Sequence, residues 1–368
     1  MASSDLIVAA DGSGDYTDVI AAVAALPATG GHVYIRAGTY TLAGKHHLYK
    51  AASDLSGWIT LNLPSSVVLQ GEGPGITVLC GSAQDDTSII GAFEQHNITL
   101  LDFTLEGGGN PGYGVSLNAC DDCLVQNVVV DAAGPPALNT GIGAYGARNR
   151  YVGCTVTGAK VIGFELGYGD DGTEVAGCRA SQCAFGVAFD PYPSLPPQLR
   201  SGPNRHLRIS NCEFSHNSNS GLQLCTCESA IVSNCVISDN GFFGIAVVPS
   251  GPGNWPQDPV PTDILQVLCS GLVVRNNGQK GSGQAGIWLN GNGSVITDTL
   301  FWGNQPNAVR MSGQHLVISN STFIESQYCI WNDGVNGSMV AASVRDASST
   351  GAALGGQTGG LDISGLQI

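Results

Sequence analysis

Between Gly114 and Gly334 the chain repeats one short phrase: a small residue, then apolar, any, apolar, any. It runs from Gly114 to Asn118, Gly141 to Tyr145, Gly163 to Gly167, Gly186 to Asp190, Gly221 to Cys225 and Gly244 to Val248. Three more copies run from Gly286 to Asn290, Ala308 to Ser312 and Cys329 to Asp333. Successive anchors lie roughly 21–42 residues apart, a period typical of solenoids. A second alternating phrase follows the first, as at Tyr151, Arg208, Ile231 and Val317. Period-two alternation this short, with Gly and Asn at its ends, predicts two or three short strands per coil. Strands of successive coils then stack in parallel about 4.8 Å apart.

The flanking segments read differently. Val19, Ile20, Val23 and Leu26 recur at helical spacing and Pro27 stops the run, with Asp15 or Thr17 as N-cap. A short helix there would cover the open end of the solenoid. Residues 1–45 thus read as an N-terminal cap with the first strand, 46–347 as coils and 348–368 as a Gly-rich tail, loose or in contact with a second subunit. All form one domain, because each coil needs its neighbours to bury its apolar edge. Two turns, Pro191 to Asn204 and Pro249 to Asp263, are lengthened and leave the same edge of one strand column. They are expected to wall a groove.

With these repeats the chain resembles the right-handed parallel β-helix proteins of the pectate-lyase-like superfamily. That likeness implies an all-β, single-stranded right-handed solenoid of roughly ten coils, and raises the expectation of a carbohydrate-active enzyme. Asp11 to Tyr16 is similar to the opening of pectin methylesterases, but the later motifs of those enzymes are absent.

Composition narrows the partners. The chain has 368 residues with 52 Gly, 14 Lys and Arg against 29 Asp and Glu, and a net charge of −15. Such a surface repels nucleic acid and strongly anionic polymers. No run approaches the length of a membrane span. The start from Met1 has no basic region or apolar core of a secretory leader, so the expected location is cytoplasmic if Met1 is the native start and extracellular if a leader has been removed. Of 12 cysteines, Cys154, Cys178, Cys212 and Cys235 hold one repeat position and are expected to stack as buried free thiols, which suits a reducing compartment. Cys120 with Cys123 and Cys225 with Cys227 do not form a zinc spacing.

Alternation also assigns the outward residues after each anchor. The first column reads Ser116, Gly143, Glu165, Ala188, Gln223, Ala246, Trp288, Arg310 and Trp331. The second reads Asn118, Tyr145, Gly167, Asp190, Cys225, Val248, Asn290, Ser312 and Asp333. Glu165 and Asp190 fall diagonally on adjacent coils, with Cβ atoms expected about 7–8 Å apart. That spacing is within reach of both retaining and inverting glycoside hydrolysis, and a close pair splits into an acid and a base. Tyr145, Tyr168, Tyr192, Gln223, Trp255, Trp288, Arg310 and Trp331 are the candidate substrate-binding residues, since flat aromatic faces suit sugar rings. A subunit interface, a homotrimer for instance, would bury Trp288 and Trp331 equally well. Arg310 would bind a carboxylate or pair with Asp333. No metal or other cofactor is expected: Asp170, Asp171 and Glu174 offer calcium-type oxygens, but their generic spacing favours a solvated turn. His206 and His216 lie away from the columns.

Val187 to Tyr192 resembles a stretch of mannuronan C5-epimerases in which a Tyr, an Asp-Pro and a His surround the sugar. Asp190 and Pro191 match; Val187 and Tyr192 stand where the Tyr and His would be. The likeness supports Asp190 as a site residue and not epimerase chemistry. Three readings stay open. The first is an enzyme acting on a glycosidic bond (hydrolase, transglycosylase or lyase) through Glu165 and Asp190. The second is an intracellular isomerase or cyclase acting on a small cyclic metabolite, and the third a non-enzymatic glycan-binding spike or adhesin.

Overall fold

The anchor glycines Gly114, Gly141, Gly186, Gly221, Gly244 and Gly286 lie where an added Cβ would collide with a neighbouring strand. A Cβ on Gly141 would sit 2.3 Å from Val156 Cγ1, and one on Gly244 would sit 2.5 Å from the Gly286 carbonyl oxygen. At these two coils only a missing side chain admits that approach, whereas Ala308 and Cys329 hold the same position later in the chain. The computed structural model describes residues 5–43, 47–50, 56–81, 88–107, 112–134, 137–167, 170–189, 204–225, 227–248, 266–281, 284–334, 338–341, 354–357 and 361–363. Chain contacts divide these into two compact units, 5–179 and 180–363.

In the first unit, one sheet pairs Asp5–Val8, Gly31–Ile35, Val67–Gly71, Thr99–Glu106, Leu124–Asp131, Arg150–Val152 and Glu174–Ala176 in parallel. A second sheet pairs Ser56–Asn62, Ser88–Phe93, Tyr113–Asn118, Thr140–Tyr145 and Ile162–Leu166, again in parallel. His47–Lys50 joins Ser56–Asn62 antiparallel. Between the sheets, Ile90, Val115, Ile142 and Phe164 stack in register with no exposed surface. The helix Val19–Ala24 packs Val19, Ala22 and Val23 onto this unit. Its N-cap is Asp18, whose carboxylate accepts from the Ala21 N–H at 2.9 Å, not the expected Asp15 or Thr17. Asp15 is drawn away because it accepts from the Ile7 N–H at 2.8 Å.

The second unit repeats the plan. Phe185–Phe189, Ser220–Cys225, Phe243–Val248, Ala285–Leu289, Asn307–Met311 and Tyr328–Asn332 form one parallel sheet. Val187, Leu222, Ile245, Ile287, Val309 and Ile330 stack beneath it, fully buried. Leu354–Gly356 and Leu361–Ile363 extend the two sheets, so the segment expected to be a loose tail contributes strands. Among the described residues no helix is long and apolar enough to cross a membrane.

Stacking turns like residues into ladders. Cys154 and Cys178 are buried in the first unit, Cys212 and Cys235 in the second, and all 12 cysteines are free thiols. Asn211, Asn234 and Asn320 hold φ near +55°, +53° and +44° just ahead of this position, a left-handed corner that Asn tolerates better than most residues. A second ladder escaped the sequence reading. The Asn217 amide donates to Asn240 Oδ1 at 3.0 Å, Asn240 to Asn277 Oδ1 at 2.9 Å, and Asn277 to Asn304 Oδ1 at 3.0 Å. Each amide also donates to a backbone carbonyl, and all four residues are buried. The ladder thus closes corners that would otherwise leave buried polar groups unmatched. Asn240→Ala is expected to cost about 3 kcal/mol, since it strands buried partners on both sides. Exposed Gln279→Ala is expected to stay within about 0.5 kcal/mol. Urea denaturation of the two variants checks this difference.

Candidate functional site

In the first unit the predicted column is present in register: Ser116, Gly143 and Glu165 lie side by side on successive strands, and Gly91 extends it on the strand before. Glu165 points away from the core, opposite Phe164, as alternation requires. It was expected to face solvent as a groove carboxylate, yet it has no exposed surface. Two tyrosines cover it. Tyr113 lies against Gly143, where a Cβ would be 3.1 Å from the Tyr113 Cε1. Tyr145 lies over Gly167, where a Cβ would be 1.9 Å from the Tyr145 Cδ1. The missing side chains at Gly143 and Gly167 are what let both rings close over the carboxyl.

Three hydroxyls converge on that carboxyl. The Tyr113 hydroxyl donates to Oε1 at 3.1 Å, the Tyr145 hydroxyl donates to the same oxygen, and Thr140 Oγ1 donates to Oε2 at 3.1 Å. Burial raises the Glu165 carboxyl above the ordinary glutamate range, and the bonds from Tyr145, Tyr113 and Thr140 offset only part of that rise. A carboxyl in this setting holds a proton at a pH where exposed glutamates have lost theirs, the property a general acid needs.

The corner that carries Tyr145 is itself fixed. Asp170 is buried, not the solvated turn residue expected, and accepts from the N–H of Gly146 at 2.7 Å and of Gly167 at 3.2 Å. Gly146 holds φ +148°, and a Cβ there would sit 2.0 Å from the Cys120 carbonyl oxygen, so the corner requires glycine. Burial pushes the Asp170 carboxyl well up, against the two backbone bonds. Glu174, also considered with it for calcium, accepts from Arg150 Nε at 2.8 Å.

In the second unit Ala246, Trp288, Arg310 and Trp331 lie in register, as the column predicts, and Gly355 of the expected tail continues it. The indoles are not open platforms. Trp288 stands between Phe243 of the preceding strand, at 5.3 Å and 30°, and the Arg310 guanidinium of the following one, at 5.1 Å. Trp331 meets Tyr328 edge-on at 5.0 Å and lies against Gly355. Stacking along the column occupies faces that a sugar would use and leaves both rings only half-exposed. Asp333 gathers the polar atoms: Arg310 Nε and Ser312 Oγ each donate at 2.6 Å and Trp331 Nε1 at 2.9 Å. Partial burial alone would raise its carboxyl, but the bonds from Ser312, Arg310 and Trp331 hold it below the ordinary range. Gln223 is buried, its amide donating to Cys225 Sγ at 3.3 Å.

Of the residues singled out in the sequence, the structure therefore gathers Glu165 with Tyr145, and Trp288 with Arg310 and Trp331. Tyr168, Asp190, Tyr192 and Trp255 lie outside the described residues. Tyr113 and Thr140 were missed, and a signal existed. Both immediately precede an anchor, and the strand ladder skips the anchor at each coil, which breaks the alternation. The residue before the anchor then shares the outer face, as Tyr113 and Thr140 do beside Glu165 and as Phe243 and Tyr328 do beside the tryptophans.

Residues 88–257 match the family model described as right handed beta helix region. Among solved structures, the A-module of the Azotobacter vinelandii mannuronan C-5 epimerase AlgE4 is similar at 17% identity over 94% of this chain and 93% of that one, with a TM-score of 0.61. The catalytic unit of a thermostable GH87 α-1,3-glucanase from Streptomyces thermodiastaticus is similar at 14% identity over 95% of this chain and 65% of that one, with a TM-score of 0.67. The Dettilon tailspike protein is similar at 12% identity over 94% and 69%, with a TM-score of 0.60. A comparison with curated protein sequences finds no match. At these identities the likeness is one of fold, and the fold of this chain is a right-handed parallel β-helix.

Proposed function

We propose that this protein is a carbohydrate-acting enzyme that works on a glycosidic bond, with Glu165 as the proton-holding group of its site. The observation that carries this reading is the carboxyl of Glu165 on the outer face of the helix, fully buried and bonded by three hydroxyls. Solved structures of the same fold include an α-1,3-glucanase and a mannuronan epimerase, which supports a glycan as the substrate class. The net charge of −15 favours a neutral glycan over a polyuronate.

The depth of Glu165 favours one second reading. A carboxyl beneath two phenols is better placed to exchange protons than to attack carbon, which suits an isomerase acting on a cyclic polyhydroxylated molecule.

Turnover of α-1,3-glucan, mannuronan and a set of cyclic polyols by the wild type and by Glu165→Gln separates these readings. Product from a glucan, lost by more than tenfold in Glu165→Gln, is the expected result; isomerised polyol instead of cleaved glycan selects the second reading. Full activity in Glu165→Gln overturns both. Asp190→Asn, chosen on sequence alone, is made beside it, and an equal loss is expected if Asp190 is the second carboxylate.

Stability carries an independent signature of the raised carboxyl. Below the ordinary glutamate range Glu165 is protonated in both folded and unfolded chains and contributes no pH dependence. As pH rises from that range through the raised folded value, the unfolded chain releases its proton first, so the folded state loses stability. Glu165→Gln is expected to flatten part of this decline and Asp170→Asn a further part, read as denaturation midpoints at a series of pH values.

A further inference from the structure

The Glu165 carboxyl cannot itself reach a ligand, because it has no exposed surface and its oxygens are taken by hydroxyls. A group between it and the outside must do so. Among the described residues that bond the carboxyl, Thr140 is buried with it, and the two half-buried phenols, Tyr113 and Tyr145, remain. They are held differently. Tyr113 lies against the Gly143 position in the middle of its neighbouring strand, as a cover. Tyr145 ends its strand at a corner whose two glycines, Gly146 and Gly167, are both tied to the buried Asp170, and its ring fills the space left by Gly167. The local architecture thus fixes the direction of one phenol in particular.

We propose that Tyr145 is the catalytic residue that meets the carbohydrate, and that Glu165 serves it as a buried positioning and proton-holding residue. This rests on the reading of the Glu165 face as the reactive site. In the step, which starts from the ionised carboxylate that accepts the three hydroxyls, a ligand hydroxyl gives its proton to the Tyr145 phenolic oxygen while the original phenolic proton passes to Glu165 Oε1. The ligand O–H and the old Tyr O–H break, a new Tyr O–H and the Glu O–H form, and the net change is one proton moved from ligand to Glu165. The reverse path returns the proton to the product. Burial favours the neutral carboxyl, so Glu165 is a stronger acceptor than an exposed glutamate. Among the described residues, Tyr113 donates to the same carboxyl oxygen, and the buried Tyr151 phenol, raised chiefly by burial, feels the charges of Asp170 and Glu165.

The test combines a readout without substrate and one with it. Carbon-13 NMR of glutamate-labelled protein follows the Glu165 carboxyl, identified by its loss in Glu165→Gln. In Tyr145→Phe its titration is expected to move up by about one pH unit, since a donor to the charged form is gone. On α-1,3-glucan, Tyr145→Phe and Glu165→Gln are expected to lose activity alike, by more than tenfold, and Tyr113→Phe only a few-fold. Gly167→Ala, which drives the Tyr145 ring from its place, is expected to reproduce the Tyr145→Phe loss. A Glu165 titration unmoved by Tyr145→Phe overturns the pairing whether or not a substrate is found. Activity lost in Glu165→Gln but kept in Tyr145→Phe overturns the role of Tyr145 and leaves the proposed function standing. Activity kept in both overturns the proposed function itself.

Discussion

Parallel, in-register stacking is the constraint from which the other features descend. With strands about 4.8 Å apart, a residue has the same coil position of the next strand as its nearest lateral neighbour. Whatever chemistry occupies a position must therefore tolerate, or use, its like. Aliphatic residues do so by packing, as in the column Val187, Leu222, Ile245, Ile287, Val309 and Ile330. Asparagine does so because its amide carries both donor and acceptor, and the Asn217 to Asn304 ladder satisfies four buried amides with one repeated geometry.

A carboxylate cannot ladder with its like, since two buried negative charges side by side repel. The columns respect this. Glu165 is flanked in register by Gly143, and Arg310 by two indoles. The two charged groups meet their needs in opposite ways. Arg310 stays partly exposed and pairs with Asp333, an arrangement that solvent screens and that contributes little to stability. Glu165 is wholly buried and is tolerated because three hydroxyls compensate it and because its proton can stay on. Its burial weakens the fold as pH rises above the ordinary glutamate range, since the unfolded chain releases that proton first.

The shared fold leaves function to local detail. Right-handed β-helices of similar shape include an epimerase, a glucanase and a tailspike, so the solenoid supplies a rigid outer face and nothing more specific. In this chain glycine interrupts that face at particular coils. Gly143 and Gly167 make room for two phenols over one carboxyl, and Gly146 turns the corner that aims one of them.

The sequence by itself determined the coils, the inward columns and the lateral register of the outward ones. Ser116, Gly143 and Glu165 align as its alternation required, and so do Trp288, Arg310 and Trp331. These are properties of a period-two pattern repeated at nearly fixed spacing, and each is carried by a few adjacent residues. The cap at Asp18 and the strands at Leu354–Gly356 and Leu361–Ile363 were less legible, because competing hydrogen bonds and pairing with distant strands decide them. Only the tertiary structure decided that Glu165 is covered and that Trp288 is sandwiched. Those outcomes depend on which side chains are missing one or two coils away and on the break at each anchor, which turns Tyr113, Thr140 and Phe243 outward. Burial on the outer face is a property of neighbours brought together by stacking, and no run of adjacent residues encodes it.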